Sequence, residues 1–183
     1  MEVVKVISRE LLRLYFDAVI DLRRSPEARW HRIYENRSVA EDQIGEFLDI
    51  SNRADLDPQQ DIPLNLEANL GQVDQRPLAI VTAWNPLGVE VPNAINQASN
   101  RRLYDDLCSK GYSYGRSLFD ARGLDPSPNH SYQEVGFAFF EDDPMSAIGL
   151  GRRYRQLAIY KVTTSQLLVV SCLDGAIYTS EDG

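Results

Sequence analysis

In "SRELLRLYFDAVIDLRR", Leu11, Leu12, Tyr15, Phe16, Val19 and Leu22 recur at three- and four-residue spacing behind a serine suited to capping a helix. The pattern predicts an amphipathic helix ending near Arg23 and Arg24, where the helix dipole favours cations. "SPEARWHRIYEN" opens with a capping serine and a proline at the first helical position. "SVAEDQIGEFLDIS" places Ser38 and Glu41 at capping-box spacing ahead of Ile44, Phe47 and Leu48. Two shorter helices are expected there. From Asn52 to Pro77, prolines, aspartates and amides break the periodicity, so this stretch reads as a surface connector.

The second half alternates more sharply. "LAIVTAW" reads as a buried strand, "NAINQASNRRLYDDLCSKG" as a helix stopped by Gly111, and "YSYGRSLFDA" as a second strand. After the turn-rich "RGLDPSPNHS" come a strand in "YQEVGFAFFE", a helix in "DPMSAIGLGRRYRQ" and a strand in "LAIYKV" that continues through a turn into "QLLVVSC". The order β-α-β-β-α-β is that of a ferredoxin-like split βαβ sandwich. The expected fold is therefore α+β: a ferredoxin-like core over residues 73–183, its short C-terminal tail adding an edge strand, preceded by about three helices within residues 1–72. Both faces of "LAIVTAW" and "VGFAFF" are apolar, and two helices cover only one face of such a sheet, so the N-terminal helices are expected to pack on the other.

Composition narrows the functional classes. The chain has 183 residues and a formal net charge of −8, which disfavours non-specific attraction to nucleic acid phosphates or anionic lipid. RNA binding on the sheet would need basic residues beside the exposed aromatics of the central strands, and "LAIVTAW" and "VGFAFF" supply Trp84, Phe137 and Phe139 without such charges. No apolar run approaches the roughly 20 residues that span a bilayer, and charges interrupt the apolar residues of the N-terminus, so a cytoplasmic location is expected. The two cysteines, Cys108 and Cys172, read as small buried hydrophobes, and no His, Cys, Asp or Glu grouping has metal-ligand spacing. No metal or cofactor is expected. A small polar molecule or a protein is the expected partner, and a homo-oligomer is compatible with the sequence.

The split βαβ topology brings Trp84, Asn85, the start of the first core helix, the loop carrying His130, Glu134 and Gln156 to one edge of the sheet. Asn96, Asn100, Leu103 and Leu107 share one helical stripe, so two amides continue a leucine face. Buried amides need partners or cost roughly 1–3 kcal/mol each, and Glu134, Gln156 or backbone groups near Pro86 are the candidates. Pro86 is expected to keep Asn85 extended.

The blocks "TAWNP", "NAINQASNRRLYDDL", "QEVGF" and "GLGRRYRQLAIY", in this order over about residues 78–162, resemble those of the bacterial domain-of-unknown-function family 3293. By position, the resemblance makes Asn85 and Pro86 its Asn-Pro, Asn96 and Asn100 its helix asparagines, Glu134 its strand glutamate and Gln156 its helix-end glutamine. It carries no established activity.

Three readings follow from these residues. In the first, the chain is a binding or regulatory module holding a small polar ligand among Trp84, Asn85, Asn96, Asn100, Glu134 and Gln156, with Trp84 stacking and the amides reading hydrogen bonds. In the second, it is an enzyme using the same pocket with Glu134 as general acid or base and Arg155 as an electrostatic partner. In the third, it is a protein-interaction module acting through the N-terminal helices. "GLGRRYRQ" and Arg101–Arg102 suggest phosphate, but the glycines lie within a helix and not before one, so a solvated helix face pairing with acids is expected.

Overall fold

A computed structural model describes residues 7–23, 31–35, 38–39, 76–112, 114–121, 132–141, 143–163 and 165–182. The remainder of the helix expected from Ser38, the connector up to residue 75, and the loop carrying His130 lie outside the described residues. Among the described residues, the elements are α1 (Arg9–Phe16), β1 (Ala18–Arg23), β2 (His31–Glu35), β3 (Ser38–Val39), β4 (Leu78–Thr82), α2 (Asn93–Ser109), β5 (Tyr114–Ala121), β6 (Tyr132–Phe140), α3 (Pro144–Arg153), β7 (Ala158–Val162), β8 (Leu167–Ser171) and β9 (Ile177–Tyr178). The nine strands form one sheet in the order β3-β2-β1-β5-β6-β4-β7-β8-β9, and every neighbouring pair is antiparallel.

This architecture is α+β, but it overturns the expected ferredoxin-like sandwich preceded by three helices. The first predicted helix stops at Phe16, where the Asp17 amide closes the last turn on the Arg13 carbonyl. Ala18, Ile20 and Leu22 then alternate as buried strand positions. The run from Phe16 to Leu22 fits both a 3.6- and a 2-residue period, and its β-branched Val19 and Ile20 favour the strand. Residues 31–35 of the second predicted helix are likewise a strand, with Ile33 and Tyr34 buried. The N-terminal stretch thus lengthens the sheet through β1–β5 pairing.

Both sheet faces are apolar, as the alternation predicts. One face packs α2 and α3, with Leu103, Leu107, Ala147 and Leu150 against Val81, Phe137, Phe139 and Ile159. The opposite face receives α1, whose Leu12 and Phe16 sit among Ile80, Phe140, Tyr160 and Val169. The Tyr34 hydroxyl donates to the Phe16 carbonyl at 2.7 Å and the Tyr160 hydroxyl to the Tyr15 carbonyl at 3.2 Å, fixing the end of α1 over the sheet. α2 ends where expected, with Gly111 at φ +72°. In α3, Gly151 faces the sheet so closely that a Cβ there would overlap Cys172 Sγ and lie 2.9 Å from Ile159 Cγ2. This glycine serves helix-to-sheet packing. Cys172 is buried, with its thiol pushed up to about 12 by burial, whereas Cys108 is exposed on α2, contrary to the buried expectation.

A buried ion pair lies on the α2/α3 face. Lys161 Nζ approaches Glu141 Oε2 at 2.6 Å, and Glu141 Oε1 accepts the Ala147 amide in the first turn of α3 at 3.0 Å. The carboxylate therefore satisfies a lysine from β7 and a helix amide together.

Candidate functional site

β4 ends at Thr82 because its ladder is replaced by side-chain bonds. The Val135 carbonyl accepts from Thr82 Oγ1 at 2.8 Å and from Asn100 Nδ2 at 2.6 Å, while Asn100 Oδ1 receives the Ala83 amide at 2.9 Å. Thr82 Oγ1 in turn accepts the Trp84 amide at 2.9 Å. One turn earlier on α2, Asn96 Oδ1 accepts the Asn85 amide at 2.8 Å, and Asn96 Nδ2 donates to Asn85 Oδ1 at 3.0 Å and to the Val91 carbonyl at 3.3 Å. Gln156 Nε2 donates to the Trp84 carbonyl at 2.9 Å. Asn85, Asn96, Asn100 and Gln156 are all buried. Together they replace strand pairing along residues 83–85.

The predicted stripe of two amides and two leucines on α2 is borne out, since its buried residues are Asn96, Asn100, Leu103 and Leu107. Their partners are mostly the backbone groups around Pro86. Glu134 does not share the cluster: β6 alternates so that Val135, Phe137 and Phe139 face α2, and Glu134 falls with Ala138 and Phe140 on the α1 face. There its charge adds to the burial that raises the Tyr160 phenol. Trp84 is present through its backbone, with its side chain buried.

Asn85 is not extended as expected but left-handed, with φ 44° and ψ 65°. Asparagine tolerates this region, and the Asn96 carboxamide holds the backbone there at both the amide and the side chain. Leu87 (φ 58°) and Arg155 (φ 56°) are also left-handed, so the positive-φ non-glycine residues among those described all fall in this corner. The Leu87 amide donates to the Arg155 carbonyl at 2.7 Å. Arg155 ends α3 in a Schellman arrangement: its own amide bonds the Arg152 carbonyl at 3.0 Å and the Gln156 amide bonds the Gly151 carbonyl at 2.8 Å. Its position in that motif is the one glycine usually fills.

Outward from this corner lies an open pocket of about 400 Å³. Ala83, Pro86 and Ser99 line it beside Arg102, Tyr154 and Arg155, and Asp105, Asp106 and Arg153 complete the wall. Asp106 is committed internally, since Oδ2 accepts the Tyr154 hydroxyl at 2.6 Å and Oδ1 pairs with Arg153 at 3.2 Å. Burial, reinforced by the bond to Asp106, raises the Tyr154 phenol well above its ordinary value and keeps it a donor. Arg102 lies along its own helix, with contacts of 3.3 Å to the Ala98 carbonyl and 3.4 Å to Ser99 Oγ. Among the described residues, no His, Cys, Asp or Glu group could hold a metal ion.

The amides are legible in the sequence but this pocket is not, because its arginines read as solvated helix faces. That expectation is met for Arg153, which pairs with Asp106, but Arg152 binds backbone carbonyls of Cys172 and Leu173. Only the proximity of α2 and α3 gathers Arg102, Asp106, Tyr154 and Arg155, and no linear motif signals it.

The model of a family described as "Protein of unknown function (DUF3293)" matches residues 81–159. The family resemblance holds. These residues contain the amide network, both crossover helices and every residue of the pocket wall. No curated protein and no solved structure matches the chain. No helix among the described residues is long and apolar enough to cross a membrane.

Proposed function

We propose that the chain is a binding or regulatory module for a small polar molecule, and that the ligand occupies the pocket beside Pro86 and Arg155, not the amide cluster itself. The supporting observation is a division of labour. Asn96 and Asn100 use both ends of their carboxamides within the protein, whereas the adjoining pocket gathers guanidinium, hydroxyl and carboxylate groups around an open volume. Its size falls at the lower end of the roughly 300–1,000 Å³ of small-molecule sites. The left-handed backbone at Asn85, Leu87 and Arg155 is the kind of local strain that clusters at functional sites. The amides then act as the rigid frame that places Pro86 and Arg155.

A thermal-shift screen of small polar metabolites tests this. A ligand present at about 100 times its dissociation constant adds roughly 2.7 kcal/mol of stability. Ser99→Trp, which fills the pocket from the surface of α2, is expected to remove the shift. A hit whose effect survives Ser99→Trp places its binding elsewhere and overturns the proposal.

A further inference from the structure

We infer that the pocket takes a small anion carrying a carboxylate or phosphate group, anchored by the guanidinium groups of Arg155 and Arg102. This rests on the pocket being the binding site. The chain as a whole is strongly acidic, yet three arginines and only two aspartates line this wall. Asp106 is occupied by Arg153 and by the Tyr154 hydroxyl, so it does not neutralise the other two arginines. Among the described residues, the Arg102 side chain hydrogen-bonds only within its own helix, and the Arg155 side chain has no hydrogen-bond or ion-pair partner. A planar guanidinium is matched in geometry by the two oxygens of a carboxylate or phosphate. Ala83 and Pro86 leave an apolar floor against which a short carbon chain fits.

The backbone supplies an independent argument. Arg155 adopts a left-handed conformation at the Schellman position where glycine is unstrained. The helix stop would be better served by glycine, so what arginine adds at this position is its side chain, which lines the pocket. Asp105, also on the wall, offers an acceptor for a hydroxyl or amino group of the ligand.

The test uses the full chain at low ionic strength, with inorganic phosphate and succinate as anionic probes. Sodium chloride at matched ionic strength and glycerol serve as controls. At least one anion is expected to raise Tm above the chloride control, and the stronger arm distinguishes phosphate from carboxylate chemistry. Arg155→Gly is expected to abolish that increment while leaving the ligand-free Tm unchanged or raised by up to about 4 °C, as relief of the backbone offsets the freer unfolded chain. Arg102→Gln, which leaves the helix stop intact, is expected to weaken the increment as well. If neither anion exceeds chloride, or if the increment persists in both variants, the anion assignment is overturned. A neutral hit blocked by Ser99→Trp in the same screen would then leave the pocket standing as a binding site, whereas the absence of any blocked hit removes both readings.

Discussion

The backbone N–H of Leu87 donates to the carbonyl oxygen of Arg155 at 2.7 Å, joining two side-chain-bearing residues with φ of 58° and 56°. Each holds a conformation costing an L-residue roughly 1–2 kcal/mol, and each is held there by groups of the other's loop. Leu87 is 41% exposed, so little core packing opposes relief of its strain. Leu87→Gly is expected to be neutral or to stabilise by up to about 1 kcal/mol, the lower figure reflecting the freer unfolded chain. Leu87→Val, β-branched and poorly suited to positive φ, is expected to destabilise by about 1–2 kcal/mol. Urea midpoints of the two variants check both signs.

Asn100 is constrained at both ends of its carboxamide, since one must accept from Ala83 and the other must donate to Val135. Asn100→Asp keeps the acceptor but turns an ionised oxygen toward the Val135 carbonyl. The folded state then resists ionisation, so the introduced carboxyl has a pKa raised above its unfolded value. The sign follows: destabilisation is present above the unfolded carboxyl range near about pH 4 and shrinks as the group is protonated below it. The difference in unfolding free energy from wild type is therefore expected to be larger at neutral pH than at acid pH. Asn100→Ala, which orphans the Ala83 amide and leaves the Val135 carbonyl with Thr82 Oγ1 alone, is expected to cost about 1–3 kcal/mol at either pH.

Breaking the Glu141–Lys161 pair is expected to be the most damaging polar change in the sheet. Glu141→Gln retains an acceptor for the Ala147 amide but removes the carboxylate charge beside the buried ammonium, at about 3–5 kcal/mol. Glu141→Gln combined with Lys161→Met removes both charges and is expected to recover most of that loss. Guanidinium unfolding of the single and double variants measures the coupling.

Alkaline pH addresses the tyrosines. The Tyr154 phenol is raised by burial and by its bond to Asp106, and the fully buried Tyr160 is raised by burial. A group whose folded pKa exceeds its unfolded value contributes fully below the unfolded value, about 10 for tyrosine, and loses that contribution as pH climbs toward the folded one. Stability is therefore expected to decline above about pH 10. Tyr154→Phe is expected to be weaker at neutral pH, where it loses the bond to Asp106, yet to decline less steeply with alkali. Denaturant midpoints at both pH values supply the comparison.

Legibility differed between the chain's halves for a physical reason. Val81, Phe137, Phe139 and Ile159 alternate inside long strands bounded by recognisable caps and turns, so the sequence pattern admits one period only. Between Phe16 and Leu22 the apolar positions satisfy helix and strand spacing at once, and pairing of β1 with β5, nearly a hundred residues away, decides between them. The asparagine stripe on α2 was readable because an amide on a leucine face conflicts with local burial unless it has a partner. The pocket was not, since Arg102 and Arg155 look like ordinary surface residues until α2 and α3 are set side by side. Lys161 did leave a trace, as the lone charge in β7, whereas Glu141 opens the acidic run Glu141-Asp142-Asp143 and does not stand out.

The pairing of β1 with β5 has a kinetic side. Ala18–Arg23 hydrogen-bonds directly to residues 116–121, so the N-terminal strands cannot reach their places until the chain beyond residue 120 is available. Contacts of such sequence separation close large loops and slow the search for the native state. The antiparallel β7–β8 hairpin, joined by a short turn, is the natural early contact, and β1, β2 and β3 are expected to acquire hydrogen-exchange protection last during refolding.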